Sequence, residues 1–111
     1  MKSYQWSYNM CGLLNRDIEY ILKALSMFPQ IEKAIIFGSR AMGNYKNGSD
    51  IDIAIVGKSI DNSILYRLDD YLNEVYPLPY FFDIIHYERI NNENLIRHID
   101  EEGKIIYIKN N

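Results

Sequence analysis

Leu14, Ile18, Ile21, Leu22 and Leu25 recur at steps of three and four, the spacing that gathers apolar side chains on one face of a helix. Asn15 stands where a cap would open that helix. Pro29, just past Phe28, marks its stop, because proline cannot continue the hydrogen-bond ladder. Ala34-Ile35-Ile36-Phe37 is a short continuous apolar run ending on Gly38, which predicts a buried strand. From Gly38 to Gly48 the sequence GSRAMGNYKNG has no apolar period and predicts a loop or a broken short helix. Ile51, Ile53 and Ile55 then alternate with Asp50, Asp52 and Ala54, the period of two of a second strand, closed by Gly57.

Asp61-Asn62-Ser63 offers caps for a helix carrying Ile64, Leu65, Leu68, Leu72 and Val75, with Pro77 and Pro79 beyond it. Tyr80 to Ile85 (YFFDII) reads as a third strand interrupted by one acid, Asp83. Asn91-Asn92 is placed to cap a last helix through Leu95, Ile96 and Ile99, Gly103 to end it, and Ile105 to Ile108 to form a fourth, edge strand. Met1 to Gly12 shows aromatics without a sustained period and reads as an irregular lead-in. The resulting order of elements predicts an α/β (α+β) unit built on one small sheet of three to four strands.

Composition narrows the function classes. With 111 residues, 48% of them hydrophobic and 24% charged, the chain is expected to form a single domain over residues 1–111 with a real core. A domain of this size has little room for an enclosed substrate cavity, so a site is expected on an open face or completed by a partner. The net charge of −3 argues against the broad basic surface of a nucleic-acid binder, and no direct nucleic-acid contact is expected. Cys11 stands alone, which suits a reducing compartment, and no apolar run approaches the about 18 residues of a membrane span. A cytoplasmic location without a membrane partner is the expectation.

The stretch IIFGSRAMGNYKNGSDIDIAI, from Ile35 to Ile55, carries the candidate chemistry. A strand delivers the chain to Gly38-Ser39, where a missing side chain lets backbone N–H groups approach an anion and the Ser39 hydroxyl adds a donor. Arg40 and Lys46 in the same loop are candidates to neutralise a polyphosphate. Asp50 and Asp52, two residues apart on a strand, point to one face with α-carbons about 6.6 Å apart. Two like charges there call for a cation, and a hard oxygen-liganded ion such as Mg²⁺ bearing a nucleotide is the natural one. Asp83, inside an apolar strand where an unpaired charge is costly, is the candidate third ligand and proton acceptor if its strand lies beside that of Asp50 and Asp52.

These features resemble the minimal nucleotidyltransferases of the DNA polymerase β superfamily, whose motif is Gly-Ser, ten residues, then Asp-x-Asp. Here Gly38-Ser39 is followed by Arg40 to Ser49 and then by Asp50-Ile51-Asp52, with flanks IIFGSRA and SDIDIAI in the family's apolar setting. The resemblance runs from the first helix through FDII to EEGKIIY. It implies a polymerase-β-like fold, a small mixed sheet flanked by helices, and transfer of a nucleoside monophosphate from a triphosphate to a hydroxyl. Gly38 and Ser39 would grip the triphosphate, with Arg40, Lys46 and Ser49 as further nucleotide-binding candidates. Asp50 and Asp52 would ligate two Mg²⁺ ions, and Asp83 would ligate the catalytic ion and deprotonate the acceptor. ATP is the expected donor. Family members of this length are commonly antitoxins paired with a helical HEPN-type ribonuclease toxin, and in some pairs the antitoxin adenylylates a toxin tyrosine.

Two rival readings stay open: an antitoxin that binds nucleotide without turnover and acts by occlusion, and a small-molecule nucleotidyltransferase completed by an acceptor domain in trans. His86 and His98 show no ligand spacing and receive no role. Tyr66, Tyr71, Tyr76, Tyr80 and Tyr107 fall in expected helices and strands, where packing explains them, whereas Tyr4, Trp6 and Tyr8 are candidates for partner docking.

Overall fold

A computed structural model describes residues 11–46 and 50–110. The irregular lead-in up to residue 10, with Tyr4, Trp6 and Tyr8, lies outside the described residues, and so does Ser49. The first helix, α1, spans Asn15–Ser26 and buries Ile21, Ala24 and Leu25. Asn15 is its first helical residue, and the cap position falls to Leu14, whose side chain offers no cap bond. The acid of the first turn is instead Asp17, suitably placed beside the positive end of the helix dipole. Leu14, expected on the apolar face, is about half exposed, and its neighbour Leu13 is the buried one.

Strand β1 (Lys33–Phe37) leads into a single short helix, α2 (Ser39–Met42), inside the segment expected to be a loop or broken helix. Strand β2 covers Ile51–Val56. Helix α3 (Asn62–Asp70) opens on Asp61, whose carboxylate accepts from the Ile64 N–H at 2.9 Å. It runs on into a five-residue π-helical turn, Tyr71–Val75. Strand β3 is Phe82–His86, so Tyr80 lies in the approach to the strand and not within it. Helix α4 (Glu93–Glu102) is capped by Asn92, which accepts from the Leu95 N–H at 3.1 Å, and strand β4 is Lys104–Ile108.

The four strands form one mixed sheet in the order β3-β2-β1-β4. β1 runs antiparallel to β2 and to β4, and β2 runs parallel to β3 through the α3 crossover. Alternation along the strands sorts side chains onto two faces. Ala34, Ile36, Ile51, Ile53, Ile55 and Phe82 meet α1 and α3 in the main core, with Ile21, Leu25, Leu68 and Leu72. Ile35, Phe37 and Ala54 point the other way and are covered by Ile99 of α4. Gly103 ends α4 in extended backbone, not the left-handed conformation usual for a terminal glycine. It is glycine for lack of room: a Cβ there would run into the Ile35 side chain and the Ile99 carbonyl. That contact turns the chain from α4 directly into β4 and seats α4 over β1.

Candidate active site

The second face of the sheet carries the acids. Asp52 lies opposite Phe37 across the β1–β2 ladder and level with Asp83 across the parallel β2–β3 ladder. Register neighbours on adjacent strands are about 4.8 Å apart at Cα, so the Asp52 and Asp83 carboxylates leave the sheet side by side. Asp50 precedes β2 by one residue and by alternation emerges on the same face. All three acids therefore stand beyond the part of that face covered by α4.

Asp83 departs from one expectation. Its carboxylate is exposed, not buried in a strand core, because β3 is an edge strand and the face at its start is open. Arg89 and Arg97, the arginines that follow Asp83 in the sequence, are engaged elsewhere: Arg89 donates to Asn62 Oδ1 at 2.7 Å and Arg97 to Asn94 Oδ1 at 3.1 Å. Asn73, carried on the π-helical turn, fixes the start of its strand. The Asn73 amide donates to the Phe82 carbonyl at 3.0 Å and accepts from the Phe82 N–H at 2.7 Å, taking the place of a missing neighbour strand at the edge.

At the end of β1 the chain turns sharply. Gly38 adopts φ 77 and ψ −154, a conformation open to glycine and strained for any other residue. A Cβ at Gly38 would strike Asp52 Oδ2, so the turn lies directly against the central carboxylate. The Gly38 carbonyl accepts from the Met42 N–H at 3.1 Å and the Ser39 carbonyl from the Gly43 N–H at 3.0 Å, which winds α2 immediately after the turn. On the other side, the Gly38 N–H donates to His98 Nε2 of α4 at 2.9 Å. That donor is thus directed at α4.

Burial pushes the Asp52 carboxyl above its ordinary range, and the charges of Asp83 and Asp50 push it further the same way. The physical content is mutual repulsion on a half-desolvated face, which a divalent cation would relieve. Hard carboxylate oxygens on one open face are the donor set suited to Mg²⁺. Among the described residues no three His, Cys, Asp or Glu side chains are grouped closely enough to hold a metal ion by themselves. Mg²⁺ keeps part of its shell for water and phosphate, so the neighbouring carboxylates Asp52 and Asp83 are a donor set suited to it.

The two loop cations separate. Arg40 is buried, donates to the Cys11 carbonyl at 3.1 Å, and is flanked by the Tyr45 ring at 4.5 Å and the Tyr80 ring at 5.2 Å. Tyr80 in turn donates to Asp17 Oδ2 at 2.9 Å, so these side chains tie α2 to the chain before α1, to α1 itself and to the approach to β3. Arg40 thus contacts backbone carbonyls and two tyrosine rings. Lys46 is exposed. His86 is also structural: buried, with its Nε2 donating to the Gly57 carbonyl at 2.9 Å at the far end of β2.

Sequence reasoning missed Asn73 and His98. Asn73 holds Phe82, nine residues on, through two hydrogen bonds, and His98 holds Gly38, sixty residues back, through one; nothing in local spacing signals either. His98 does fall on the α4 face adjacent to the buried Ile99, a weak hint that it looks towards the sheet.

A glycine turn beside paired carboxylates on a mixed sheet defines a nucleotide-handling α/β domain. The family model "Polymerase beta, Nucleotidyltransferase" matches residues 19–111, and the chain belongs to this nucleotidyltransferase family. No match is found among curated proteins. Among solved structures, a crystal structure of a toxin-antitoxin with AMP-PNP is 26% identical at a TM-score of 0.69, covering 86% of this chain and 75% of the other. A crystal structure of the toxin-antitoxin MntA-HepT is 22% identical at a TM-score of 0.63 over 85% of this chain and 72% of the other. A putative nucleotidyltransferase from Sulfolobus solfataricus is 24% identical at a TM-score of 0.52 over 83% and 77%. The last two show the likeness of fold. Among the described residues no helix is long and apolar enough to cross a membrane.

Proposed function

We propose that this nucleotidyltransferase moves AMP from ATP to a hydroxyl of a protein partner, a tyrosine of a helical HEPN-type toxin, and so acts as that toxin's antitoxin. The observation that carries the chemistry is the in-register pair Asp52 and Asp83, with the Gly38-Ser39 turn pressed against Asp52. The partner assignment is supported by the likeness to toxin-antitoxin structures, one of them with AMP-PNP.

In this reading Ser39 and Lys46 meet the triphosphate, with Ser49 a further candidate, while Arg40 holds the loop in place. Asp50, Asp52 and Asp83 hold Mg²⁺, two ions when the site is full. The ions supply charge neutralisation for the triphosphate and the leaving group. Asp83, exposed on the outer strand, accepts the proton of the attacking hydroxyl. The hydroxyl oxygen forms a bond to the α-phosphorus, the bond from that phosphorus to the bridging oxygen breaks, and pyrophosphate departs. Asp50 and Asp83 are exposed, and an open site at an edge strand suits an acceptor as large as a protein.

The test is to mix the chain with its toxin partner, Mg²⁺ and α-labelled ATP. Label on the toxin, lost in an Asp50→Ala and Asp52→Ala double variant, is the expected result. Equal labelling by that variant, or no label at all, would sink the proposal. Neutralisation of the toxin by the double variant at matched stoichiometry would point instead to occlusion.

A further inference from the structure

The Gly38 N–H can donate to His98 Nε2 only if that nitrogen carries no hydrogen, so His98 presents a lone pair to the turn and carries its proton on Nδ1. Three features fix the imidazole there. Ile99, the next residue, is buried against the sheet and sets the rotation of α4. The Phe37 ring meets the imidazole edge-on with centroids 6.1 Å apart, which sets the plane of the ring. Gly103, packed against Ile35, holds the end of the helix close to β1.

Gly38 itself needs such a hold. Its backbone sits in a left-handed region, and its α-carbon faces the Asp52 carboxylate on the side where a side chain would otherwise stand. A glycine in that position is otherwise free to rotate its flanking peptides. The bond to His98 fixes the Phe37–Gly38 peptide plane, the Met42 N–H holds the following peptide at the Gly38 carbonyl at 3.1 Å, and the two together set where the N–H and hydroxyl of Ser39 point.

We infer that His98 is a positioning residue for the nucleotide-binding turn: its imidazole lone pair anchors the Gly38 peptide so that Ser39 faces the triphosphate beside Asp52. The inference rests on the nucleotide-transfer reading and adds to it a residue sixty positions away from the turn it controls. His98 touches neither substrate nor ion in this role. A side chain of similar reach with an accepting oxygen should therefore replace it, and a ring without an acceptor should not.

The test compares wild type, His98→Gln and His98→Phe as full chains, by titration with Mg²⁺ and AMP-PNP and by NMR of ¹⁵N-labelled protein. The wild type is expected to show a through-hydrogen-bond ¹⁵N–¹⁵N coupling between the Gly38 amide and His98 Nε2. His98→Phe, which keeps the ring packing on Phe37, should weaken nucleotide binding about three- to tenfold, the worth of one orienting hydrogen bond. His98→Gln should bind nearly as wild type does.

Equal binding by wild type and a folded His98→Phe, or absence of the coupling, overturns the inference and leaves the nucleotide reading intact. Failure of the wild type itself to bind nucleotide, with the coupling present, counts against the nucleotide reading and so removes the basis of the positioning role. Should His98→Phe not fold, weakened binding by a folded His98→Gln that has lost protection of the Gly38 amide supports the role. Unchanged binding under that loss overturns it.

Discussion

Asp52 is the residue where stability and function oppose each other. Burial and two neighbouring carboxylates raise its pKa in the folded chain, so between the ordinary aspartate value and that raised value the folded state binds more protons than the unfolded state. Stability from this group is therefore present at low pH and declines as pH rises through that window, leaving a net cost at neutrality. Asp52→Asn removes the cost. The group is only partly buried and is screened by solvent, so the gain is of the order of 0.5 kcal/mol, or about 2 °C in melting temperature at pH 7 without metal. Melts at pH 7 and pH 3.5 in EDTA check this: the gain should appear at the first and vanish at the second, and a lower melting temperature for Asp52→Asn at pH 7 would contradict it.

Gly38 is constrained from the same side. An alanine there would carry a left-handed strain of about 1–2 kcal/mol and would also push its Cβ into Asp52 Oδ2. Gly38→Ala should lower the urea midpoint and abolish nucleotide binding together. An alanine variant that keeps wild-type stability would show that the turn is not built as described.

Among the elements, β3 bears the most weight for its size, because it alone brings Asp83 level with Asp52. Its inner side pairs with β2, and the start of its outer side is held by the two bonds to Asn73. Asn73→Ala leaves the Phe82 N–H and carbonyl to water and should destabilise the chain by about 1–2 kcal/mol, with faster hydrogen exchange at Phe82. Asn73→Asp keeps the acceptor for the Phe82 N–H and loses the donor, so its cost should be intermediate. Equal exchange at Phe82 in all three proteins would remove Asn73 from the account.

The four strands and three longer helices were legible in the sequence because their burial patterns are local: Ile51, Ile53 and Ile55 alternate, and Ile21 and Leu25 are a helical turn apart. The placement of Asp50 and Asp52 on one face of their strand was legible for the same reason. What stayed hidden depends on which strands become neighbours. Asp83 was expected to be a buried charge because YFFDII looks like a core strand, and only the edge position of β3 makes it exposed. Arg40 looked like a loop cation, and only the arrival of Tyr80 and the Cys11 carbonyl makes it an internal clamp. The π-helical turn that presents Asn73 has no signature separable from the helix before it.

For the molecule as a whole, the fold divides its work between the faces of one sheet. The face under α1 and α3 is continuously apolar and supplies the main core. On the opposite face α4 seals β1 and delivers His98, while the acids beyond it are left open. Repulsion among those acids is tolerated because the main core lies on the other side. The molecule is thus a firm platform with an electrostatically incomplete face, which a divalent ion and a polyphosphate would complete.

The most direct measurement is calorimetric titration of the chain with ATP, in Mg²⁺ and in EDTA, for wild type and Asp52→Asn. The account predicts binding by the wild type in Mg²⁺ and at least about tenfold weaker binding on removal of the ion or of the Asp52 charge, since each withdraws more than one charge-assisted contact. Equal affinity with and without Mg²⁺, or in wild type and Asp52→Asn, would contradict it.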